Sequence, residues 1–268
     1  MISLKHLQKI NTLNDGGRMG LARLVLASHL TRVFWRPAVA GIFLGSRYRK
    51  KKKLLYTVMT GGYDNLNELP RRLAGWHCIC FTDNQKLTST SWEIRHLRND
   101  QGLDTVRFAR YWKIHNHLVD DGYDLSVYID ANIRVRGNLD NFIAHALPTG
   151  RNFATLEHPF LSSLSEELEQ CLETNKDDAR LLTEQYRYYV DEKKFTDPYP
   201  QINSRLLIRR AKDPHIRALM EGWFAQLTRW SRRDQMAFNY ALSQHPAVQP
   251  HYIPYWVFRR YFQRLDHR

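Results

Sequence analysis

The residues of this sequence that most suggest chemistry are Asp130 and Asn132, in the stretch DLSVYIDANIRVR of residues 124–136. The apolar run Leu125–Ile129 predicts a buried strand that delivers Asp130 into a polar loop. Open α/β sheets bind their ligands at the ends of such strands. Asp130 is therefore a candidate binding residue, although an aspartate that only begins a turn fits the same pattern.

A second candidate is a row of positive charges in the predicted helix Asp104–Val119. Arg107, Arg110 and Lys113 recur at every third position and His117 follows, so a helix displays them as one stripe. Arginine and lysine neutralise phosphate oxygens. The stripe is either a diphosphate clamp or an ordinary solvated basic face.

The run Leu54–Met59 predicts a short buried strand, and the turn TGGYD of residues 60–64 follows it directly. Many nucleotide-binding α/β domains begin this way, because glycine lets the backbone approach a phosphate or a base closely. The turn lacks the spacing of GxGxxG and the lysine of a P-loop. A simple tight turn is the alternative.

Two further candidates lie later in the chain. His158 follows the predicted strand Phe153–Leu156, a position suited to catalysis, to ligand binding or to a structural hydrogen bond. Asp234 lies three residues after Ser231 and begins a predicted helix that continues through Leu242. That spacing resembles a capping box, which offers a structural explanation for Asp234.

The positive charge of the chain is concentrated at its N-terminus. The formal net charge is +13, and residues 1–53 hold twelve Lys and Arg against one acid, Asp15. The remainder is nearly neutral, which argues against a nucleic-acid-binding face spread over the fold. A basic extension suits an anionic surface such as a membrane leaflet, and a solvated linker is the alternative.

No signal peptide is evident, and the apolar runs 21–30 and 38–45 fall short of the ~20 residues that a spanning helix needs. The cysteines Cys78, Cys80 and Cys171 form no metal-binding or disulfide spacing, which suggests buried thiols in a reducing compartment. We therefore expect a cytoplasmic protein, with a peripheral position on the inner face of the membrane as an open alternative.

At 268 residues the chain can bury a full core. Short strands alternate with amphipathic helices along it, which predicts an α/β layer fold. Besides the elements above, the pattern predicts strands at His77–Phe81, Trp92–Leu97 and Arg205–Ile208, and helices at Leu139–Ala146, Ser165–Leu172, Asp177–Val190 and Ile216–Trp230.

Seven short motifs follow one another in a recognisable order. They are YT at 56–57 with GGYD at 61–64, CFTD at 80–83, WEIR at 92–95, Arg107 with ARYWK at 109–113, YIDANI at 128–133, HP at 158–159, and Ser231 with RDQ at 233–235. Together they resemble the glycosyltransferase-like domain family that includes plant mucilage-related hexosyltransferases and bacterial polysaccharide-locus proteins. The resemblance covers residues 54–245, between a basic helical extension at 1–53 and an aromatic, basic tail at 246–268.

The resemblance implies a GT-A type fold, in which a Rossmann-like mixed sheet flanked by helices forms a single catalytic domain and binds a nucleotide-sugar. It places Asp83 near the base or ribose, and Asp234 and Gln235 on the acceptor side. It directs Arg107, Arg110 and Lys113 at the diphosphate. The residues that it brings near the nucleoside are Thr57, Gly61, Gly62, Tyr63 and Asp64.

The stretch 130–132 occupies the position at which GT-A enzymes carry an Asp-x-Asp that holds a divalent metal. Here Asp130 offers a carboxylate but Asn132 offers a neutral amide, whose oxygen is a weaker ligand for Mg²⁺ or Mn²⁺. Either Asp130, Asn132 and the diphosphate hold the metal, or the cationic stripe replaces it. The resemblance favours the metal.

Glycosyl transfer requires stabilisation of the leaving nucleoside diphosphate and, in an inverting enzyme, a base for the acceptor hydroxyl. Asp234, His158 and Glu157 are candidates for that base, and in a retaining enzyme the leaving phosphate serves. We expect a hexosyltransferase that acts on a cell-surface polysaccharide or glycolipid. The alternatives are a hydrolase of a ceramide-like lipid, for which HExxH and GxSxG motifs are absent, and a non-catalytic nucleotide-sugar-binding protein.

Overall fold

A seven-stranded mixed sheet forms the centre of the computed structural model of this protein. The structure describes residues 48, 50–62, 64–70, 73–119 and 122–266. The chain divides into two compact units, Met1–Ser46 and Arg47–Arg268, and the described residues belong to the second. Most of the predicted basic extension, its helices and Tyr63 lie outside the described residues.

The strands of the described residues include the six that the sequence pattern predicts, to within three residues, and Ile133–Val135, Pro250–Ile253 and Phe262–Arg264, which it does not predict. The strands are β1 Lys53–Met59, β2 Trp76–Thr82, β3 Glu93–His96, β4 Leu125–Ile129, β5 Ile133–Val135, β6 Phe153–Glu157, β7 Ile202–Arg210, β8 Pro250–Ile253 and β9 Phe262–Arg264. The large sheet has the order β3-β2-β1-β4-β7-β6-β8, and β5 pairs with β9 separately. β3, β2, β1 and β4 are parallel, whereas β7 is antiparallel to β4 and β6.

Six of the helices follow the predicted pattern, and Tyr255–Tyr261 was not predicted. The helices are α1 Thr105–Ile114, α2 Leu139–Ala146, α3 Leu164–Glu173, α4 Ala179–Arg187, α5 Pro214–Arg229, α6 Asp234–Ser243 and α7 Tyr255–Tyr261. Side-chain oxygens of Asp104 and Asn138 accept backbone N–H bonds and so cap α1 and α2. Helices cover both faces of the sheet, so β1 and β4 are buried on both sides, as their continuous apolar runs predict. The predicted α/β class, with a mixed sheet flanked by helices, is confirmed.

The first helix ends five residues earlier than the sequence pattern predicts. The carbonyl of Lys113 accepts a hydrogen bond from the Tyr56 hydroxyl at 2.6 Å and one from the fully buried Arg209 at 3.0 Å. These bonds occupy the acceptor that a further helical turn would use. His117 therefore lies in a separate 3₁₀ turn, where its Nε2 is 2.9 Å from the Glu221 carboxylate. It does not extend the cationic stripe.

The described part of the C-terminal segment, residues 246–266, belongs to the fold. β8 joins the large sheet beside β6, and β9 pairs with β5. Phe258 and Phe262 are buried in the core that α2 covers. The aromatic residues of this segment thus complete one face of the sheet, beyond the predicted domain boundary at residue 245.

Candidate functional site

One edge of the large sheet collects most of the predicted site residues. The carboxyl ends of β1, β2 and β4 meet there because these strands are parallel. β7 runs the other way, so its first residues, around Arg205, reach the same edge. β6 ends there too, because it is antiparallel to β7, and delivers His158. Carboxyl edges of this kind are where α/β sheets bind ligands.

The glycine turn after β1 is held against the end of β2. The Gly61 backbone N–H donates to the Asp83 carboxylate at 2.9 Å. Gly61 has a φ of +67°, and a Cβ atom there would lie 2.6 Å from a methyl carbon of Thr105. The turn therefore requires glycine for its backbone conformation and for close approach to α1.

The other residues predicted to approach the nucleoside have different surroundings. Gly62 is exposed in the same turn, and Asp64, two residues later, is half-buried. Thr57 lies inside β1 with an exposure of 1%, away from the surface of the edge. The structure thus brings Gly61 and Asp83 together and leaves Thr57 in the sheet.

A buried ion cluster lies beneath this edge, centred on Asp234 at the start of α6. The Lys113 ammonium donates to Asp234 Oδ2 at 2.7 Å, and the Ser204 hydroxyl donates to the same oxygen at 2.8 Å. Arg110 Nε lies 3.3 Å from that oxygen. Lys113 also donates to Ser204 at 3.0 Å, which closes the network.

Asp234 is poorly suited to act as a general base. It is 1% exposed, so an acceptor hydroxyl does not reach it. Burial by itself raises the pKa of Asp234, but Arg110, Lys113 and Arg233 outweigh burial and hold that pKa far below its usual range. A carboxylate stabilised in this way stays ionised and fixes the positions of the cations around it.

The capping-box interpretation of Asp234 is wrong. The residue at the N-cap of α6 is Arg233, and it makes no side-chain capping bond. The Ser231 hydroxyl accepts from the Arg233 backbone N–H at 3.3 Å, one residue before the position that a capping box requires. The Asp234 carboxylate binds Lys113 because the cluster offers stronger, charge-assisted hydrogen bonds.

Asp130 lies at the end of β4, as predicted, and connects the buried cluster to the surface. Its Oδ1 accepts from the Tyr128 hydroxyl at 2.8 Å and lies 3.8 Å from the Lys113 ammonium. Its side chain is 33% exposed, so a bound molecule can reach it. Lys113 therefore stands between a buried carboxylate, Asp234, and an accessible one, Asp130.

Asn132 is anchored to the C-terminal segment. Its amide Nδ2 donates to the Leu265 carbonyl at 3.0 Å, and the Leu265 N–H donates to the Asn132 carbonyl at 2.8 Å. The residue is 5% exposed. No group of three or more His, Cys, Asp or Glu side chains in the described part of the chain is arranged to hold a metal ion. These residues do not fit the predicted divalent-metal site.

Two cations at this edge were not predicted as site residues. Arg205 on β7 donates from Nε to Asn203 at 2.6 Å and lies beside Asp130, whose backbone N–H donates to the Arg205 carbonyl. Arg233 pairs with the buried Glu167 at 2.7 Å. The sequence carried no signal for Arg205, because its role depends on how β7 pairs with β4.

Two predicted site residues are engaged elsewhere. Arg107 donates to Asp104 at 2.6 Å and to the carbonyls of Leu227 and Trp230 at 2.7 Å, so it holds α1 against the end of α5. Gln235 donates to the Ile202 carbonyl at 2.7 Å and fixes the start of β7. Both side chains support the edge through structural bonds.

His158 presents one ring nitrogen to the protein backbone. Its Nδ1 accepts from the N–H groups of Phe160 at 3.3 Å and Leu161 at 2.9 Å, so the neutral ring carries its proton on Nε2. Burial lowers the pKa of His158, and the positive charges of Arg233 and Arg205 lower it further, to about 4. At neutral pH His158 is therefore a hydrogen-bond donor and not a base.

We expect ring-nitrogen NMR of the protein to show His158 protonating near pH 4, with the neutral proton on Nε2. The unfolded chain binds that proton at about pH 6.5, so the folded state loses stability as the pH falls from about 6.5 towards 4. His158→Gln, which cannot protonate, should make stability less dependent on pH in that window. An identical pH dependence in the variant, or a His158 resonance that titrates near pH 6.5, contradicts this assignment.

The mixed α/β sheet thus carries buried cations and a glycine turn at its carboxyl edge, the place where α/β sheets bind ligands. The sequence model of the TOD1/MUCI70 glycosyltransferase-like domain family matches residues 80–260, more than half of the chain. The chain therefore belongs to the TOD1/MUCI70 glycosyltransferase-like domain family, and the predicted resemblance is confirmed. The match continues past residue 245, in agreement with the folded C-terminal segment.

Similarity to other known proteins is low. No curated protein sequence matches the chain. Among solved structures, the chain is similar to the apo crystal structure of mouse xyloside xylosyltransferase 1, with 10% identity and a TM-score of 0.44. That similarity covers 75% of this chain and 85% of the other. Within the described ranges, every helix is too short or too polar to cross a membrane.

Proposed function

We propose that this protein is a nucleotide-sugar-dependent hexosyltransferase that acts on a cell-surface saccharide or glycolipid. The observation that carries the proposal is the ion cluster in which Lys113 links buried Asp234 to accessible Asp130 at the carboxyl edge of the sheet. A cation fixed in this way can stabilise the charge that develops on a leaving diphosphate. The glycine turn beside it, held by Asp83, suits a nucleoside.

In this proposal the role of each residue follows from how exposed its side chain is. Asp234 is buried and positions Lys113, which is buried with it, and the partly exposed Arg110. Arg110 and Arg205 face the diphosphate, and Lys113 adds its positive charge from below. Asp130 accepts hydrogen bonds from hydroxyl groups of the donor. His158 donates from Nε2 to the donor or the acceptor at the other end of the edge.

Acceptor activation in an inverting reaction requires a different base from Asp234 or His158. Asp234 is buried and His158 presents a protonated nitrogen, as shown above. Glu157, the last residue of β6, is the exposed carboxylate among the three candidates. In a retaining reaction the leaving phosphate takes the proton and Glu157 is dispensable.

The proposal is tested by thermal unfolding of the full chain with UDP-, GDP-, ADP- and CMP-linked sugars. We expect one nucleotide class to raise the melting temperature by several degrees, because a ligand at about 100 times its Kd stabilises the folded state by about 2.7 kcal/mol. Hydrolysis of that donor should accompany binding. Binding without hydrolysis would support the non-catalytic alternative, and no shift with any donor would remove the proposal.

The membrane contact through residues 1–53 stays a prediction, since most of that segment lies outside the described residues. It is tested by sedimentation with anionic and neutral vesicles. Deleting residues 1–46, which removes six of the twelve basic residues of the extension, should weaken selective binding to the anionic vesicles if the extension carries the contact.

A further inference from the structure

The loop after β4 provides poor ligands for a divalent metal. Asp130 supplies its carboxylate, but Oδ1 already accepts from Tyr128 and faces the Lys113 ammonium. The Asn132 amide is buried and bound to Leu265. Mg²⁺ and Mn²⁺ favour several oxygen ligands, with carboxylates among them. An ammonium ion 3.8 Å from the carboxylate opposes a second cation there.

The same place is supplied with fixed positive charge. Lys113 and Arg110 are held by Asp234, and Arg264 on β9 lies beside Arg205. Lys113, Arg110 and Arg205 lie near two carboxylates, Asp130 and Asp234, and Arg264 adds a fourth positive charge beside Arg205. The surplus of positive charge complements a doubly charged diphosphate, whereas the additional cation Arg233 is balanced by Glu167.

Arg205 is the cation best prepared for a phosphate. Its Nε is fixed by Asn203, and its backbone carbonyl accepts from the Asp130 N–H. In the part of the chain that the structure describes, no hydrogen bond or ion pair uses its terminal guanidinium nitrogens. A planar guanidinium whose two terminal nitrogens are free can bind a pair of phosphate oxygens along that edge, and its fixed position reduces the entropy lost on binding.

We infer that the partly exposed Arg110 and Arg205 bind the donor diphosphate directly, that Lys113 adds its positive charge from the buried cluster beneath them, and that donor binding requires no divalent metal. The inference rests on the proposed function, since it names how the same site holds its substrate. It replaces the metal expected at Asp130 and Asn132 by cations of the protein itself. It also assigns to Arg205 a specific role in binding the donor.

The test is calorimetric titration of the full, EDTA-treated protein with UDP, GDP, ADP and CDP, in excess EDTA and in excess Mn²⁺. We expect the nucleotide that binds to show the same Kd in both buffers to within about threefold. Arg205→Gln should weaken binding about tenfold or more in both buffers, as for the loss of a charge-assisted pair. Arg210→Gln is the matched control, because Arg210 lies on the same strand but donates to the Arg151 carbonyl.

The outcomes separate this inference from the proposed function. Binding that disappears in EDTA and returns with Mn²⁺ would overturn the inference and keep the donor site. Normal binding by Arg205→Gln would overturn the role of Arg205. If no nucleotide binds in either buffer, both the inference and the proposed function fail. The buffer comparison uses the wild-type protein, so it stands even where a variant folds poorly.

Discussion

Replacing Asp234 by asparagine is expected to lower the free energy of unfolding by about 3–5 kcal/mol, the usual cost of removing one partner of a buried ion pair. Lys113 and Asp234 are both nearly inaccessible, so water cannot replace the lost carboxylate. Arg110 and Ser204 lose the same partner. Denaturant titration of wild type and variant, followed by circular dichroism, measures the difference.

Two further variants show whether burial is the cause. Combining Asp234→Asn with Lys113→Met removes the unpaired charge, and the double variant should be more stable than Asp234→Asn alone. Glu184→Gln breaks the pair with Arg180, which has the same 2.7 Å separation but lies on the surface, and should change stability little. A double variant whose loss equals the sum of the single losses would show that the pair is not coupled.

The fold was largely predictable because its elements are signalled locally. β1 and β4 are continuous apolar runs, and apolar residues at helical spacing mark α5. The exceptions depend on distant contacts. α1 ends at Ile114 because the carbonyl of Lys113 binds Arg209, far along the chain, and no residue near Ile114 signals that contact.

The site was predictable where strand ends define it. Asp130 and Asp83 follow buried strands, and parallel pairing brings such ends to one edge. The chemistry of the individual side chains was not predictable from the sequence. Whether Asp234 caps a helix, acts as a base or fixes Lys113 is decided by a contact across 121 positions in the chain. The sequence pattern is the same in all three cases.

The Asp-x-Asn motif illustrates the limit of a motif without its surroundings. Residues 130 and 132 alternate in sequence as two metal ligands do. Asn132 instead meets the C-terminal segment, which the sequence pattern treated as a tail. Once that segment packs on β5, the amide has partners in the fold and is withdrawn from the edge. The Asn132 side chain, at the position of a second metal ligand, therefore binds the C-terminal segment at Leu265.

Asp130→Asn is expected to reduce the hydrolysis or transfer of the donor by about 100-fold or more, within the range found when a polar group that stabilises the transition state is removed. The variant keeps the shape of the side chain and its bond from Tyr128 but loses the negative charge that faces Lys113. The measurement is the rate at which wild type and variant release nucleoside diphosphate from the donor that thermal unfolding identifies. The melting temperature should change little, because Asp130 is partly exposed.

Asp124→Asn is the matched control for this variant. Asp124 precedes the same strand at its other end, where it binds Lys212 and the Lys52 backbone N–H. Its loss should leave turnover unchanged. Binding of the free nucleotide further separates the two accounts of Asp130. If cations of the protein hold the diphosphate, Asp130→Asn should keep the Kd of the free nucleotide within about threefold of the wild-type value. The variant then removes only a negative charge beside the phosphates and no group that binds them. If Asp130 instead ligates an essential metal, the affinity falls together with turnover, and the metal-free account is wrong.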